Sequence, residues 1–127
     1  MKDYKIFAVD DEPEIAKIIK EFLGKNGFNI TTTSDPAYML TIIESGVAID
    51  LLILDMKMPK IKGLDILRRM QELKRTNPVI VLTGSIDSQK YKEKLEGLGY
   101  RLDDIAFKPI NLYELLDKVK YKLGIKD

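Results

Sequence analysis

Short apolar runs alternate with segments of helical pattern along this chain, and this alternation constrains the fold more than any other feature. Leu51–Leu54 and Val79–Leu82 are apolar at every position, as expected of strands that are covered on both faces. The segment that follows another apolar run, Ile6–Val9, places Ile15, Ile19 and Phe22 on one face of a helix. The alternation predicts an α/β fold, with a parallel sheet and helices on both of its faces.

The predicted elements are five strands and five helices. We expect strands at 6–9, 28–33, 51–54, 79–82 and 105–107. We expect helices at 13–23, 36–44, 64–75, 88–98 and 111–123. No linker or repeat interrupts the pattern, so the prediction is one domain over residues 1–127.

The residue types limit the chemistry that is open to the chain. It has no cysteine and no histidine, which excludes disulfides, thiolate nucleophiles, imidazole bases and His-ligated metals. The remaining oxygen ligands favour a hard cation such as Mg²⁺. A net charge of +1 gives no indication of binding to nucleic acid or to a membrane surface. No apolar segment has the length of a signal peptide or a membrane span, so we expect a cytoplasmic protein.

Polar residues follow four of the predicted strands. Asp10–Glu12 follows the first strand, Asp55 the third, Thr83–Ser85 the fourth and Lys108 the fifth. In open parallel sheets, ligands bind beyond the carboxyl ends of the strands. If the first strand lies beside the third, the aspartates share one crevice, and the threonine and the lysine approach it from the far side.

A crevice that holds three aspartates needs a cation. Neighbouring carboxylates raise one another's pKa, whereas Mg²⁺ binds carboxylates together with water and phosphate oxygens. A lysine and a hydroxyl at the same edge can bind phosphoryl oxygens. Each residue alone has an ordinary explanation, since an acidic run suits a helix start and Asp55 suits a turn. Those explanations do not account for the shared position, and the combination predicts phosphoryl transfer to aspartate.

The sequence resembles the receiver domain of bacterial two-component response regulators from Lys5 to Leu123. Four segments carry the resemblance: Ile6–Glu12, Leu51–Pro59 with Gly63, Val81–Gly84, and Phe107–Pro109. Each segment alone is weak evidence, but all four in this order are specific. We therefore expect a flavodoxin-like, doubly wound sheet with strand order 2-1-3-4-5 and five helices.

This resemblance implies a role for each acidic residue. Asp55 would accept a phosphoryl group from a phosphohistidine. Asp11 and Asp55 would bind Mg²⁺ directly, with Mn²⁺ as a substitute, and Asp10 would act mainly through water. The backbone carbonyl of Lys57 would complete the protein ligands. Because the chain has no histidine, the donor imidazole would lie on another molecule.

The resemblance also implies roles at the ends of the last two strands. Lys108 would pair with the phosphoryl oxygens, and Thr83 would move to bond the phosphoryl group. The backbone amide of Gly84 would help to hold that group. The peptide bond between Lys108 and Pro109 would be cis.

One departure from the family falls on the expected output surface, which is formed by the fourth helix, the fifth strand and the fifth helix. Receivers usually carry Tyr or Phe three residues before the conserved lysine, as an aromatic switch. Here that position is Ile105. An aromatic switch would therefore require Phe107 or Tyr100 to substitute.

The resemblance implies a signalling domain rather than an enzyme. Its partners would be a histidine kinase or a histidine phosphotransfer protein, and a downstream protein target. It would be a monomer or a phosphorylation-dependent dimer. If the chain is complete, we expect a stand-alone receiver that does not bind nucleic acid directly. If it is a fragment, the missing part could carry a DNA-binding domain.

Two alternatives use the same fold elements differently. A small Mg²⁺-dependent phosphohydrolase with an aspartate nucleophile usually places that residue after the first strand, with a second aspartate two residues on. Here Asp10 and Asp11 are adjacent, which does not match that spacing. A pseudo-receiver that serves only for binding would lack one of the key residues, and all of them are present in this chain.

Overall fold

The computed structural model describes residues 3–84 and 88–125. Within these residues the strands are β1 (Ile6–Val9), β2 (Ile30–Thr33), β3 (Leu51–Asp55), β4 (Val79–Gly84) and β5 (Ile105–Lys108). The α-helices are α1 (Pro13–Lys25), α2 (Pro36–Glu44), α3 (Gly63–Glu72), α4 (Ser88–Gly97) and α5 (Leu112–Leu123). A 3-10 turn at Leu102–Asp104 leads into β5. No helix in the described ranges has both the length and the apolar character needed to cross a membrane.

The five strands form one parallel sheet in the order β2-β1-β3-β4-β5. Val9 of β1 lies beside Thr33 on one side and Leu54 on the other. Leu54 pairs in turn with Val81 of β4, which pairs with Ile105 of β5. The predicted doubly wound architecture and its strand order are confirmed. Because all strands run in one direction, their carboxyl ends lie along the same edge of the sheet.

The core lies on both faces of the sheet, and β3 contributes to both halves. All five residues of β3 are buried. Leu52 and Leu54 pack with buried residues of α2, α3 and α4, whereas Leu51 and Ile53 pack with those of α1 and α5. Cover on both faces explains why four successive residues of this strand are apolar. The same packing fixes the position of Asp55, the last residue of β3.

The second strand begins at Ile30, two residues later than predicted. The residues just before Ile30 instead form the C-terminal cap of α1. Gly27 adopts a left-handed φ of 90°, and the backbone N–H of Phe28 donates to the carbonyl of Leu23 at 3.0 Å. Phe28 is therefore part of a helix cap and not of the strand.

The third helix ends at Glu72, and the prediction that it extends to residue 75 was wrong. Lys74 adopts a left-handed φ of 57°, and the backbone N–H of Arg75 donates to the carbonyl of Met70 at 2.8 Å. The guanidinium of Arg75 then donates to the carbonyl of Ile43 at 2.8 Å. This contact joins the turn after α3 to the end of α2. The turn is not evident from the sequence, because no glycine occupies its left-handed position.

Candidate functional site

The ends of β1 and β3 place two aspartates side by side. Val9 and Leu54 are register partners, so Asp10 and Asp55, which follow them, emerge together at the sheet edge. These two residues are only 1% and 2% exposed. Asp11 brings a third carboxylate, and one oxygen from each of the three aspartates lies within 4.8 Å of the others. The structure thus brings together the three carboxylates that the sequence predicted to share a crevice.

Lys108, at the end of β5, bridges the two buried aspartates. Its Nζ lies 3.0 Å from Oδ2 of Asp10 and 3.3 Å from Oδ1 of Asp55. The peptide bond that follows, to Pro109, is cis. One ammonium group is shared by two buried carboxylates, so the formal charge of Asp10, Asp55 and Lys108 together is negative.

Backbone N–H groups donate to some of the carboxylate oxygens but not to all of them. Oδ1 of Asp10 accepts from Glu12 at 3.0 Å, and Oδ1 of Asp55 accepts from Lys57 at 3.3 Å. Oδ2 of Asp55 is buried and has no hydrogen-bond donor in the described part of the chain. Leaving such a group unsatisfied costs about 1–3 kcal/mol. A divalent cation would satisfy this oxygen, and a set of carboxylate oxygens suits Mg²⁺ rather than a soft metal.

The titration of the site reflects its burial and its crowding. Burial, followed by the charge of Asp10, raises the pKa of Asp55 from 3.8 to about 7. The neighbouring Asp11 carboxyl raises this pKa further, while the charge of Lys108 and the N–H of Lys57 oppose the rise. Burial lowers the pKa of Lys108, but its hydrogen bond to Asp10 and the charges of both buried aspartates raise it above its ordinary value. Lys108 therefore stays charged, whereas Asp55 takes up a proton near neutral pH.

A cleft of about 540 Å³ opens onto these residues. Its lining includes Asp11, Asp55, Lys57, Lys62, Gly84 and Lys108. A small anion can therefore reach the Asp55 carboxylate from solvent. The sequence did not predict Lys62 as a residue of the site. Nothing in the sequence of this loop indicates that the side chain of Lys62, rather than that of Lys60, lines the cleft.

The loop between β3 and α3 packs closely on the backbone that carries Asp55. A Cβ atom on Gly63 would lie 2.6 Å from the carbonyl oxygen of Asp55 and 2.8 Å from Cα of Met56. The N–H of Gly63 donates to the Met56 carbonyl at 3.1 Å. Glycine is required here because the first residue of α3 approaches the end of β3 too closely for any side chain.

The residues at the end of β4 line the other side of the site. Thr83 is buried, and its hydroxyl donates to the carbonyl of Gly84 at 3.3 Å. Gly84 lines the cleft. Ser85, which follows them, lies outside the described residues.

Ile105 and Phe107 belong to β5, the strand that ends at Lys108, and Tyr100 precedes that strand. Ile105 is buried in the core on the side of α2, α3 and α4, and Tyr100 packs against the same cluster. Burial and the charge of Asp104 raise the pKa of Tyr100. Phe107 is 43% exposed. An ion pair between Lys122 and Asp104 joins α5 to the turn before β5. No sequence pattern predicts it, because the two residues lie far apart in the chain.

Comparison with known proteins shows where similar sequences and folds occur. Residues 6–120 match the family described as Response regulator receiver domain. Transcriptional regulatory protein CpxR of Klebsiella pneumoniae is 35% identical over 116 residues, which are 91% of this chain and 47% of that protein. Regulatory protein VanRc of Enterococcus gallinarum is 36% identical over 121 residues, which are 94% of this chain and 49% of that protein.

A solved structure, the Francisella response regulator 1452 receiver domain, superposes with a TM-score of 0.83 at 28% identity. The match covers 95% of this chain and 97% of that chain. The chain spans about half the length of the curated relatives it matches. It therefore resembles one part of those longer proteins and the whole of the solved domain.

Proposed function

The chain belongs to the family of response regulator receiver domains, and from this membership we infer that it is a signalling domain controlled by phosphorylation. We propose that Asp55 accepts the phosphoryl group from a histidine kinase or a histidine phosphotransfer protein. The observation that carries the proposal is the buried, unpartnered Oδ2 of Asp55, in a group of three aspartates whose carboxylates come within 4.8 Å of one another.

The proposed cofactor is Mg²⁺, with Mn²⁺ as a substitute. Asp11 and Asp55 would hold it directly, Asp10 would act mainly through water, and the backbone carbonyl of Lys57 would complete the protein ligands. When bound, the cation supplies positive charge that favours the ionised form of Asp55 and offsets the charge of the phosphoryl oxygens. The raised pKa of Asp55 supports this assignment, because a carboxylate nucleophile must be ionised and the protein alone does not favour ionisation.

The residues of the chain supply the nucleophile and its surroundings. An oxygen of ionised Asp55 attacks phosphorus, and the phosphorus–nitrogen bond breaks as the oxygen–phosphorus bond forms. The donor imidazole leaves with the electron pair of the broken bond. The ammonium of Lys108, which lies 3.3 Å from Oδ1 of Asp55, can pair with an arriving phosphoryl oxygen. The N–H of Lys57 orients the carboxylate through its hydrogen bond to Oδ1.

Phosphorylation would change the charge at Asp55 by about −0.5 to −1 relative to the carboxylate, since the phosphorylated group carries about −1.5 to −2 charges. We propose that Lys108 then shifts from Asp10 towards the phosphoryl oxygens. The Thr83 hydroxyl would leave the Gly84 carbonyl and donate to the phosphoryl group, with the Gly84 amide assisting. These two movements act on β4 and β5. The output would then be read on the surface of α4, β5 and α5, by a downstream protein or by a second copy of the chain.

A second proposal concerns the natural gene product. Of the two curated relatives, one is named a transcriptional regulatory protein and the other a regulatory protein, and both are about twice as long as this chain. An output that regulates transcription through a further segment is therefore a candidate alongside a stand-alone receiver with no direct contact to nucleic acid. A cytoplasmic location belongs to both proposals. The length of the natural open reading frame decides between them.

Phosphotransfer profiling tests the proposed function. Radiolabelled histidine kinases would be mixed with the wild-type protein, with Asp55→Asn, and with Asp117→Asn as a matched control at an exposed aspartate of α5. We expect Mg²⁺-dependent, stoichiometric labelling of the wild type and the control, and none of Asp55→Asn. Labelling of Asp55→Asn would contradict the assignment. Multiple turnover on a simple phosphate ester, without stable labelling, would instead indicate a phosphohydrolase.

A further inference from the structure

Two lysines stand at the rim of the cleft above the aspartates. Lys57 and Lys62 belong to the loop between β3 and α3, both are exposed, and both line the cleft that contains Asp55. Lys60 lies in the same loop and is also exposed, but it is not among the residues that line the cleft. The loop therefore presents two of its three lysines to the incoming ligand.

The structure of the loop accounts for this selection. Ile61 packs against the core, and its N–H donates to the Pro59 carbonyl at 2.8 Å in a tight turn. The N–H of Lys62 donates to Oδ2 of Asp65 at 2.8 Å, which fixes its backbone at the start of α3. Lys60, with a left-handed φ of 66°, precedes the anchored Ile61 in the chain and does not line the cleft. The position of Lys62 at the cleft is thus built into the loop.

The formal charges show what these lysines change. Four carboxylates and one ammonium group lie in or beside the cleft, from Asp10, Asp11, Glu12, Asp55 and Lys108, and Glu12 is exposed like the two lysines. Their formal charges sum to three negative charges, and a bound divalent cation reduces them to one. Lys57 and Lys62 add two positive formal charges at the rim. The charge of the rim therefore determines whether the metal-loaded cleft repels or attracts an approaching phosphate.

We propose that Lys62, together with Lys57, selects for doubly charged phosphoryl donors by adding positive charge to the rim of the metal-loaded cleft. Lys62 is then a specificity-determining residue, which acts on the approach of the donor and not on the transfer of the phosphoryl group. The inference rests on the proposed function, because it concerns the same cleft. It has a second consequence that does not involve phosphorylation, since a positive rim also repels the metal ion.

The test uses Lys62→Gln, with Lys60→Gln as the matched control from the same loop. Labelling of the full chain by acetyl phosphate, a dianion, is measured at low salt and saturating Mg²⁺. Mg²⁺ affinity is measured on the same proteins by calorimetric titration. We expect Lys62→Gln to slow labelling about threefold and to tighten Mg²⁺ binding about twofold, because one unit of charge is removed from the rim. Lys60→Gln should leave both quantities unchanged.

Salt and donor charge separate this effect from a general disturbance. The difference in labelling rate between Lys62→Gln and the wild type should shrink towards 0.5 M salt, because salt screens exposed charges. It should also be smaller with phosphoramidate, which carries less negative charge. Equal labelling rates for Lys62→Gln and the wild type would overturn the proposal. So would a fall in both labelling rate and Mg²⁺ affinity, since that result indicates a structural role.

Failure of the proposed function would give a different result. If the wild type is not labelled at all, the phosphoacceptor assignment fails. In that case the Mg²⁺ affinities still test the electrostatic role of the rim, since only Lys62→Gln, and not Lys60→Gln, should bind the ion more tightly than the wild type.

Discussion

Replacement of Asp55 by asparagine should stabilise the metal-free protein at neutral pH. In the folded state burial and the charge of Asp10 raise the pKa of Asp55 from 3.8 to about 7. Between these two values the folded state binds more protons than the unfolded state, so the free energy of unfolding falls as pH rises. This loss of stability levels off only when the pH is well above the folded-state pKa, as at pH 8. Asparagine has nearly the same shape and no charge, and it removes this loss.

The size of the effect follows from the pKa. At about 1.4 kcal/mol per pH unit, the rise from 3.8 to about 7 corresponds to about 4 kcal/mol at pH 8. The same relation gives less than half of that at pH 5, where the folded state still holds most of its proton while the unfolded state has lost it. Asp55 titrates together with Asp10 and Lys108, and relaxation of the site reduces the effective penalty. We therefore expect Asp55→Asn to raise the free energy of unfolding by about 2 kcal/mol or more at pH 8, and by less than half of that at pH 5.

Urea unfolding measures this directly. The wild type, Asp55→Asn and the surface control Asp117→Asn would be compared at pH 5 and pH 8 with a chelator present. The difference in free energy of unfolding between Asp55→Asn and the wild type should increase from pH 5 to pH 8. The control should have the same free energy of unfolding as the wild type at both pH values. An Asp55→Asn protein that is less stable than the wild type at pH 8, or an advantage that does not change with pH, would refute the claim that Asp55 is a crowded, buried carboxylate.

Three further results are expected. Mg²⁺ at ten times its dissociation constant should stabilise the wild type by about 1.4 kcal/mol and Asp55→Asn by much less; equal shifts in the thermal midpoint would place the ion elsewhere. Gly63→Ala should lower the free energy of unfolding by about 2 kcal/mol through overpacking, whereas Gly24→Ala, whose Cβ meets nothing within 4 Å, should raise it by about 0.5 kcal/mol; similar urea midpoints for the two would contradict the close packing at Gly63. Lys108→Met should cost about 2 kcal/mol at pH 8, because it leaves the Asp10 and Asp55 carboxylates buried without their ammonium partner; urea unfolding should show partial recovery with Mg²⁺, and a stability that does not depend on Mg²⁺ would count against this explanation.

The sequence predicts the fold well because each strand carries its own signal. Leu51–Leu54 is apolar on both faces, so its place in the centre of the sheet follows from local composition. The meeting of Asp10, Asp11 and Asp55 follows from strand order and from the common direction of the strands. Both inferences need only the positions of strand ends along the chain, which apolar patterning locates to within a few residues.

Other features depend on contacts that no local pattern encodes. The end of α3 rests on a left-handed Lys74, which lacks the glycine that usually marks such a turn. The placement of Lys62 at the cleft depends on how Ile61 packs into the core. The pairing of Lys122 with Asp104 joins residues from different elements. In each case tertiary packing determines the direction of a side chain or of the backbone, and spacing along the chain does not reveal it.

The central claim, Mg²⁺-dependent phosphorylation of Asp55, is tested most directly by locating the modified residue. The protein would be incubated with acetyl phosphate, the acyl phosphate reduced with borohydride, and the reduced position found by peptide mass spectrometry. We expect a single modified position, residue 55, in samples with Mg²⁺ and none in samples with a chelator. Modification at another aspartate, or equal modification of residue 55 without a divalent cation, would contradict the claim.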